Sequence, residues 1–209
     1  MTQTTSHRTR LSPEQRREQL LDLGVRLLAT RSLDELSIDL LAEEAGISRG
    51  LLYHYFGNKH AFHEAVVRRA ADDLIEKTTP PVGGDPMARL VTSLAAYLDY
   101  VVDNHEGYLS LVKAAAGGNE TLREIYEEAR SALNGRIFRD DAQGQIIPET
   151  PATRLVVRGW SAMVEELVLS WIDDPRAVSR EQLLEVMAAS LPALVEVVPG
   201  RAAPGRGPA

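Results

Sequence analysis

Residues 37–59 read SIDLLAEEAGISRGLLYHYFGNK and gather hydrogen-bonding side chains of the kind that meet nucleic acid. Arg49 is the candidate for base readout, because a guanidinium can bond a guanine through two donors, worth roughly 1–3 kcal/mol of discrimination. The plain alternative is a surface arginine with nothing to read. Tyr53 can bond a phosphate or pack on a thymine methyl, and otherwise is a half-buried core tyrosine. His54 and Tyr55 are candidates of the same kind whose exposure depends on helix rotation. Leu51 offers apolar contact to a thymine methyl, and Gly50 lets a backbone come close. Ser37 and Ser48 can each cap a helix and donate to phosphate, two roles that do not exclude one another.

The elements that must position these groups are two short helices joined by a tight turn. Ser37 is an N-cap ahead of Ile38, Leu41, Ala42 and Ala45, which follow helical spacing. Gly46 stands where a left-handed C-terminal residue is needed. Ser48 caps a second helix over residues 49–56, with Leu52 and Phe56 on one face and the polar-tipped rings on the others. Such a solvated helix end suits a major groove, where the helix N-terminus favours phosphate and side chains reach base edges.

Ala42, Ala45-Gly46-Ile47-Ser48, Gly50, Leu52-Tyr53, Phe56 and Lys59 resemble the signature of the tetracycline-repressor (TetR) regulators. The resemblance runs from the preceding helix through Val67. Beyond that point the chain resembles the family in length and helix pattern. The resemblance implies that Tyr53 lies at the DNA backbone and that Lys59, at the start of the next helix, binds phosphate; an exposed charge of no consequence is the alternative for Lys59. Leu51 departs from the many relatives with a small or hydroxylated residue there, so another member's DNA sequence does not transfer.

Composition sets the outer bounds. The chain has 209 residues, no cysteine and a net charge of −7. The absence of cysteine excludes a disulfide scaffold and thiolate chemistry and agrees with a reducing cytoplasm. The start, MTQTTSHRTR, has no apolar run, so neither a signal peptide nor a membrane span is expected there, and the expected location is cytoplasmic. An acidic total counts against nucleic acid. Its distribution matters more: residues 1–31 hold six arginines against three acids, whereas residues 60–199 hold 13 bases against 22 acids. Arg8, Arg10, Arg16 and Arg17 can add phosphate or minor-groove contacts, or stand as solvated charges.

Ser12-Pro13-Glu14-Gln15 is a capping box that starts a helix running to about residue 31. Asn58 caps a fourth helix to about residue 77, the natural link between head and body. Helices are then expected over about 86–104, 108–116 after a break at His105-Glu106-Gly107, 120–138, 151–171 and 180–195, with Pro192 kinking the last. No segment reads as a strand. The fold class is therefore all-α with about nine helices, a count the resemblance also implies. The expected division is a disordered basic arm at 1–11, a helix-turn-helix DNA-binding domain at 12–58, a ligand-binding and dimerisation domain at 59–198, and a disordered tail at 199–209.

In that body Leu94, Tyr97, Leu98, Val101, Tyr108, Leu111, Val112, Trp160, Met163, Val164 and Leu167 can line a cavity or fill a core. The pocket is implied by the resemblance, with Tyr97, Tyr108 and the Trp160 indole as scarce polar handles for a hydrophobic small-molecule effector. The run YLDYVVDNHEGYLSLV resembles actinobacterial members that sense long acyl chains, which implies a fatty acid or acyl-CoA. The last two long helices each carry a broad apolar stripe, and a two-fold four-helix bundle would bury both. His60 and His63, with Glu64 beside them, are the one possible metal pair, but they lack a third ligand, so no metal and no cofactor is expected. Glu165-Glu166 diverge by about 100 degrees around their helix and read as solvated or dimer-rim carboxylates. No Ser, Walker or Rossmann motif points to an enzyme. The sequence thus favours a homodimeric, ligand-responsive repressor binding a palindromic double-stranded DNA operator, with no membrane. An activator of the same fold, or a helical small-molecule binding protein that no longer reads DNA, are the alternatives.

Overall fold

The computed structural model describes residues 12–140 and 147–198, leaving the arm at 1–11, the tail at 199–209 and half of the expected 139–150 loop outside. Among the described residues there are nine α-helices and no strand: α1 (Pro13–Leu28), α2 (Ile38–Ala45), α3 (Arg49–Phe56), α4 (Lys59–Lys77), α5 (Pro86–Asp103), α6 (His105–Ala116), α7 (Glu120–Asp140), α8 (Pro151–Asp173) and α9 (Arg180–Glu196). None is long and apolar enough to cross a membrane.

Local chemistry sets most of the starts. Ser12 and Gln15 form a reciprocal capping box ahead of α1, and Ser179 and Gln182 do the same for α9. Ser37, Ser48, Asn58 and Asp85 each accept a backbone N–H from the first turn that follows. Gly46 ends α2 at φ 63°, with its N–H on Glu43 O and the Ile47 N–H on Ala42 O. Only a residue at ease in the left-handed region closes the turn this way.

Two elements differ from expectation. The first helix stops at Leu28, short of residue 31. α6 begins at His105, so the expected break shrinks to Asn104: the Tyr108 N–H already donates to Asn104 O at 2.9 Å. Gly107 serves close packing within a helix, and a Cβ there would fall 2.4 Å from Leu28 O. α9 runs as one helix through Pro192.

Two apolar clusters organise the chain. The first joins α1–α4, with Leu36, Leu41, Leu52, Phe62 and Val66 fully buried, and takes in Leu122 and Ile125 of α7. The second joins α5, α8 and α9 around Leu98, Val101, Val157, Val168 and Met187, and takes in Phe138 at the other end of α7. α7 therefore spans both cores, and α4 is tied along its length. Arg69 of α4 reaches Glu18 at 2.6 Å and Asp22 at 2.8 Å on α1. The Tyr100 hydroxyl donates to Ala70 O at 2.8 Å, and Arg136 of α7 donates to Ile75 O at 2.7 Å.

Candidate functional site

In the head, burial of Leu52 and Phe56 rotates α3 so that its polar-tipped face looks outward. Tyr53 is 48% exposed and Leu51 36%, and Arg49, Gly50, His54 and Lys59 are also exposed. Tyr55 is half-buried, packs against the head cluster and meets the His54 ring edge-on at 5.7 Å between centroids. It is thus the least available of the three rings. Ser37 and Ser48 use Oγ to accept the Leu40 and Leu51 N–H groups at 3.0 and 3.3 Å, which leaves each hydroxyl hydrogen outward for an acceptor.

Sequence spacing did not reveal the partner of Arg49, whose Nε meets the carboxylate of Asp39 on the first turn of α2. The pair crosses the turn of the motif and braces the two helices on their exposed side. Both groups are well exposed, so the pair is worth at most about 1 kcal/mol and yields readily to a better acceptor. Gly50 has open space around it: an added Cβ would approach only Ser48 Oγ, at 4.0 Å. Nothing in the fold demands glycine there, although it costs a helix about 1 kcal/mol relative to alanine. Arg17 lies 5.3 Å over the Phe56 ring and Arg16 bonds Gln19, while Arg8 and Arg10 lie outside the described residues. His63 turns inward to donate from Nε2 to Leu36 O, and no group of three metal-binding side chains occurs among the described residues.

The body holds a cavity of about 150 Å³ between α5, α6, α7, α8 and α9. Leu94, Tyr97, Tyr108, Trp160 and Val164 line it. Leu98 and Val101 fill the core behind that wall with no exposure, and Met163 and Leu167 pack at the edge of the same core. Leu111 faces a second, smaller cavity of about 60 Å³ against α1 and α4, and Val112 lines neither. The apolar stripe of a helix is wider than the strip a cavity touches, which is why one periodicity yields both classes. The Trp160 indole is no spare handle: it donates to Met187 O at 3.1 Å and Ser190 Oγ at 3.0 Å.

Glu165 was expected at the solvent or a dimer rim and is found in the cavity wall. Its Oε2 accepts the Tyr108 hydroxyl and its Oε1 the Tyr126 hydroxyl, both at 2.7 Å. Since Tyr108 donates its proton to Glu165, the 2.8 Å contact between Tyr97 and Tyr108 must have Tyr97 as donor. Burial pushes all three phenols well above their ordinary value, so they remain donors. Glu166, next along the chain, does face solvent and accepts from Ser170. The divergence around the helix was legible; which of the pair turns inward depends on how α8 sits against α6 and α7.

The first and second cavities share Tyr108, Arg130 and Leu133 as a common wall. One residue before Tyr108, Gly107 is wedged against Leu28 of α1, and two residues after it Ser110 Oγ accepts the Leu33 N–H at 2.9 Å. α6 thus faces the cavity with one residue and grips the head with its neighbours.

The model of bacterial regulatory proteins of the tetR family matches residues 20–66, and that of the tetracyclin repressor-like C-terminal domain matches residues 86–194. The HTH-type transcriptional activator FasR of Mycolicibacterium smegmatis is 22% identical over 182 residues, 84% of this chain and 81% of its own. The HTH-type transcriptional regulator BetI of Brucella anthropi is 25% identical over 178 residues, 81% of this chain and 90% of its own. The crystal structure of a tetR-family transcriptional regulator from Streptomyces coelicolor is 35% identical, with a TM-score of 0.78 over 88% of this chain and 82% of that one.

Proposed function

This chain belongs to the TetR family and is a transcriptional regulator, and from that premise we propose that it works as a homodimeric repressor, released from a palindromic operator by a hydrophobic small molecule. The exposed face of α3 carries the proposal for DNA. Arg49 reads a base, Leu51 packs on a thymine methyl, and Tyr53, His54 and Tyr55 meet the backbone and neighbouring bases. Ser37, Ser48 and Lys59 bond phosphates, and Gly50 admits the closest approach of the duplex. The open space at Gly50 supports this, because a glycine the fold does not need is accounted for by a partner that does. Residues 12–58 form the DNA-reading head and residues 59–198 the effector and dimerisation body.

Two heads must meet half-sites about 34–36 Å apart, which requires a dimer. The outer faces of α8 and α9 supply its surface: Leu155 is 72% exposed and Val186 53%. An added Cβ at Gly159, one turn after Leu155, meets nothing within 4 Å. The larger cavity is the effector site. Its volume favours a compact ligand over a long acyl chain. A ligand that moves Tyr108 also moves Gly107 and Ser110, and with them the grip on α1 and the loop before α2. Coupling of this kind typically spans about 5 to 150-fold, and linkage makes DNA weaken the ligand by the same factor.

Selection of binding sites from random duplex DNA at about 150 mM salt, beside Tyr53→Ala, tests the reading. A palindrome recovered by the parent alone is expected. No enrichment from a folded dimer would leave a small-molecule binder that does not read DNA. The name of the FasR relative favours activation as the second reading of the sign. A promoter fusion in cells with and without the gene separates the two, since a repressor's loss raises expression and an activator's lowers it.

A further inference from the structure

Glu165 is the one carboxylate lining the larger cavity among the described residues, and no lysine, arginine or histidine there pairs with it. Its partners are the two phenol donors Tyr108 and Tyr126, one on each oxygen. A carboxylate has about four acceptor sites, so two remain open. Two of the three arginines of the wall are directed elsewhere. Arg130 lies 5.3 Å over the Tyr126 ring and 3.9 Å from Glu127, and Arg136 donates to Ile75 O and Thr78 Oγ1 at the end of α4. Arg89 stands on the first turn of α5, roughly 12 Å along that helix from Tyr97.

Any ligand that fills this space strips water from Glu165. A neutral one gives nothing back at Glu165, and an anionic group placed there adds repulsion between like charges. A cation replaces the lost water and neutralises the carboxylate, and the nearby rings of Tyr97, Tyr108 and Trp160 add attraction of their own. The volume, about 150 Å³, is of the order that admits a single-ring molecule. Resting on the reading of this cavity as the effector site, we propose that the effector is a compact amphipathic cation, a protonated amine or quaternary ammonium on a small apolar body, with its charge against Glu165.

Calorimetric titration of the full chain tests this with three probes of one shape: benzyltrimethylammonium, its uncharged carbon isostere neopentylbenzene, and phenylacetate. The parent binds the cation at least about tenfold more tightly than the isostere, and Glu165→Gln removes that preference while leaving the isostere's affinity in place. The comparison of probes on the parent stands even where the variant fails to fold, which circular dichroism reports. Equal binding of cation and isostere, a preference retained in Glu165→Gln, or tightest binding of phenylacetate would each overturn the cationic assignment and leave the effector site standing. Binding of none of the three would overturn the effector site and this inference together.

Discussion

Gly107 of α6 lies so close to Leu28 of α1 that a Cβ built on it would fall 2.4 Å from the Leu28 carbonyl oxygen and 2.5 Å from its Cγ. The first of these neighbours is backbone, which cannot swing aside, so even one methyl group must push α6 away from α1. Gly107→Ala is therefore expected to lower stability by about 1–3 kcal/mol, the usual range for overpacking. Urea denaturation checks it, and an unchanged midpoint would show that the helices part without strain. Because Tyr108 adjoins the wedge, the same variant is also expected to alter how far ligand weakens DNA binding.

Arg49 is held by Asp39, so on the proposed reading DNA takes the guanidinium from a carboxylate that also repels phosphate. Asp39→Ala is expected to tighten binding to all duplexes a few-fold, while Arg49→Ala relaxes preference at one base position by about 1–3 kcal/mol. Competition between duplexes substituted one base at a time, at fixed salt, separates these effects. If Arg49→Ala weakened every sequence equally, the arginine would be a phosphate contact.

The same pair illustrates what sequence spacing can carry. Ser12, Ser37, Ser48 and Asn58 were legible as caps because a cap bonds a backbone N–H within its own first turn. Gly46 was legible for a like reason, since the turn it closes is local. The Arg49–Asp39 pair depends on how two helices cross, and the inward turn of Glu165 depends on where α6 and α7 meet α8. Leu94 and Leu98 share one stripe of α5, yet one lines a cavity and the other fills the core. Periodicity fixes which face is buried; the neighbours decide whether that face meets atoms or space.

His63 makes the stability of the head depend on pH. Desolvation pushes its imidazole below the ordinary 6.5, only partly offset by the hydrogen bond to Leu36 O, and Lys59 lowers it further. Between the folded value and 6.5 the unfolded chain binds more protons, so stability rises with pH in that window and is lost as pH falls below about 6.5. Below the folded value both states are protonated and the decline levels off. Urea midpoints from about pH 7.5 down to about pH 5 should show this step, and His63→Gln, which keeps a donor for Leu36 O, should remove it. A step that survives in the variant belongs to another group.

The outer faces of α8 and α9 carry the last prediction. Leu155 and Gly159 lie four residues apart on α8, and Val186 stands exposed on α9. Their inner faces are already committed to the body core through Val157, Val164, Val168, Met187 and Leu191. In the proposed dimer the apolar side chain left outward on each of these helices meets a second copy of the chain, with the glycine allowing the helices to approach closely. Leu155→Glu combined with Val186→Glu places like charges at the centre of that contact while touching neither core. Light scattering is expected to report a monomer, and operator affinity to fall by about 100-fold or more, because two linked heads lose the second half-site together. A variant that keeps the mass of a dimer and its grip on DNA would move the interface to another face of the body.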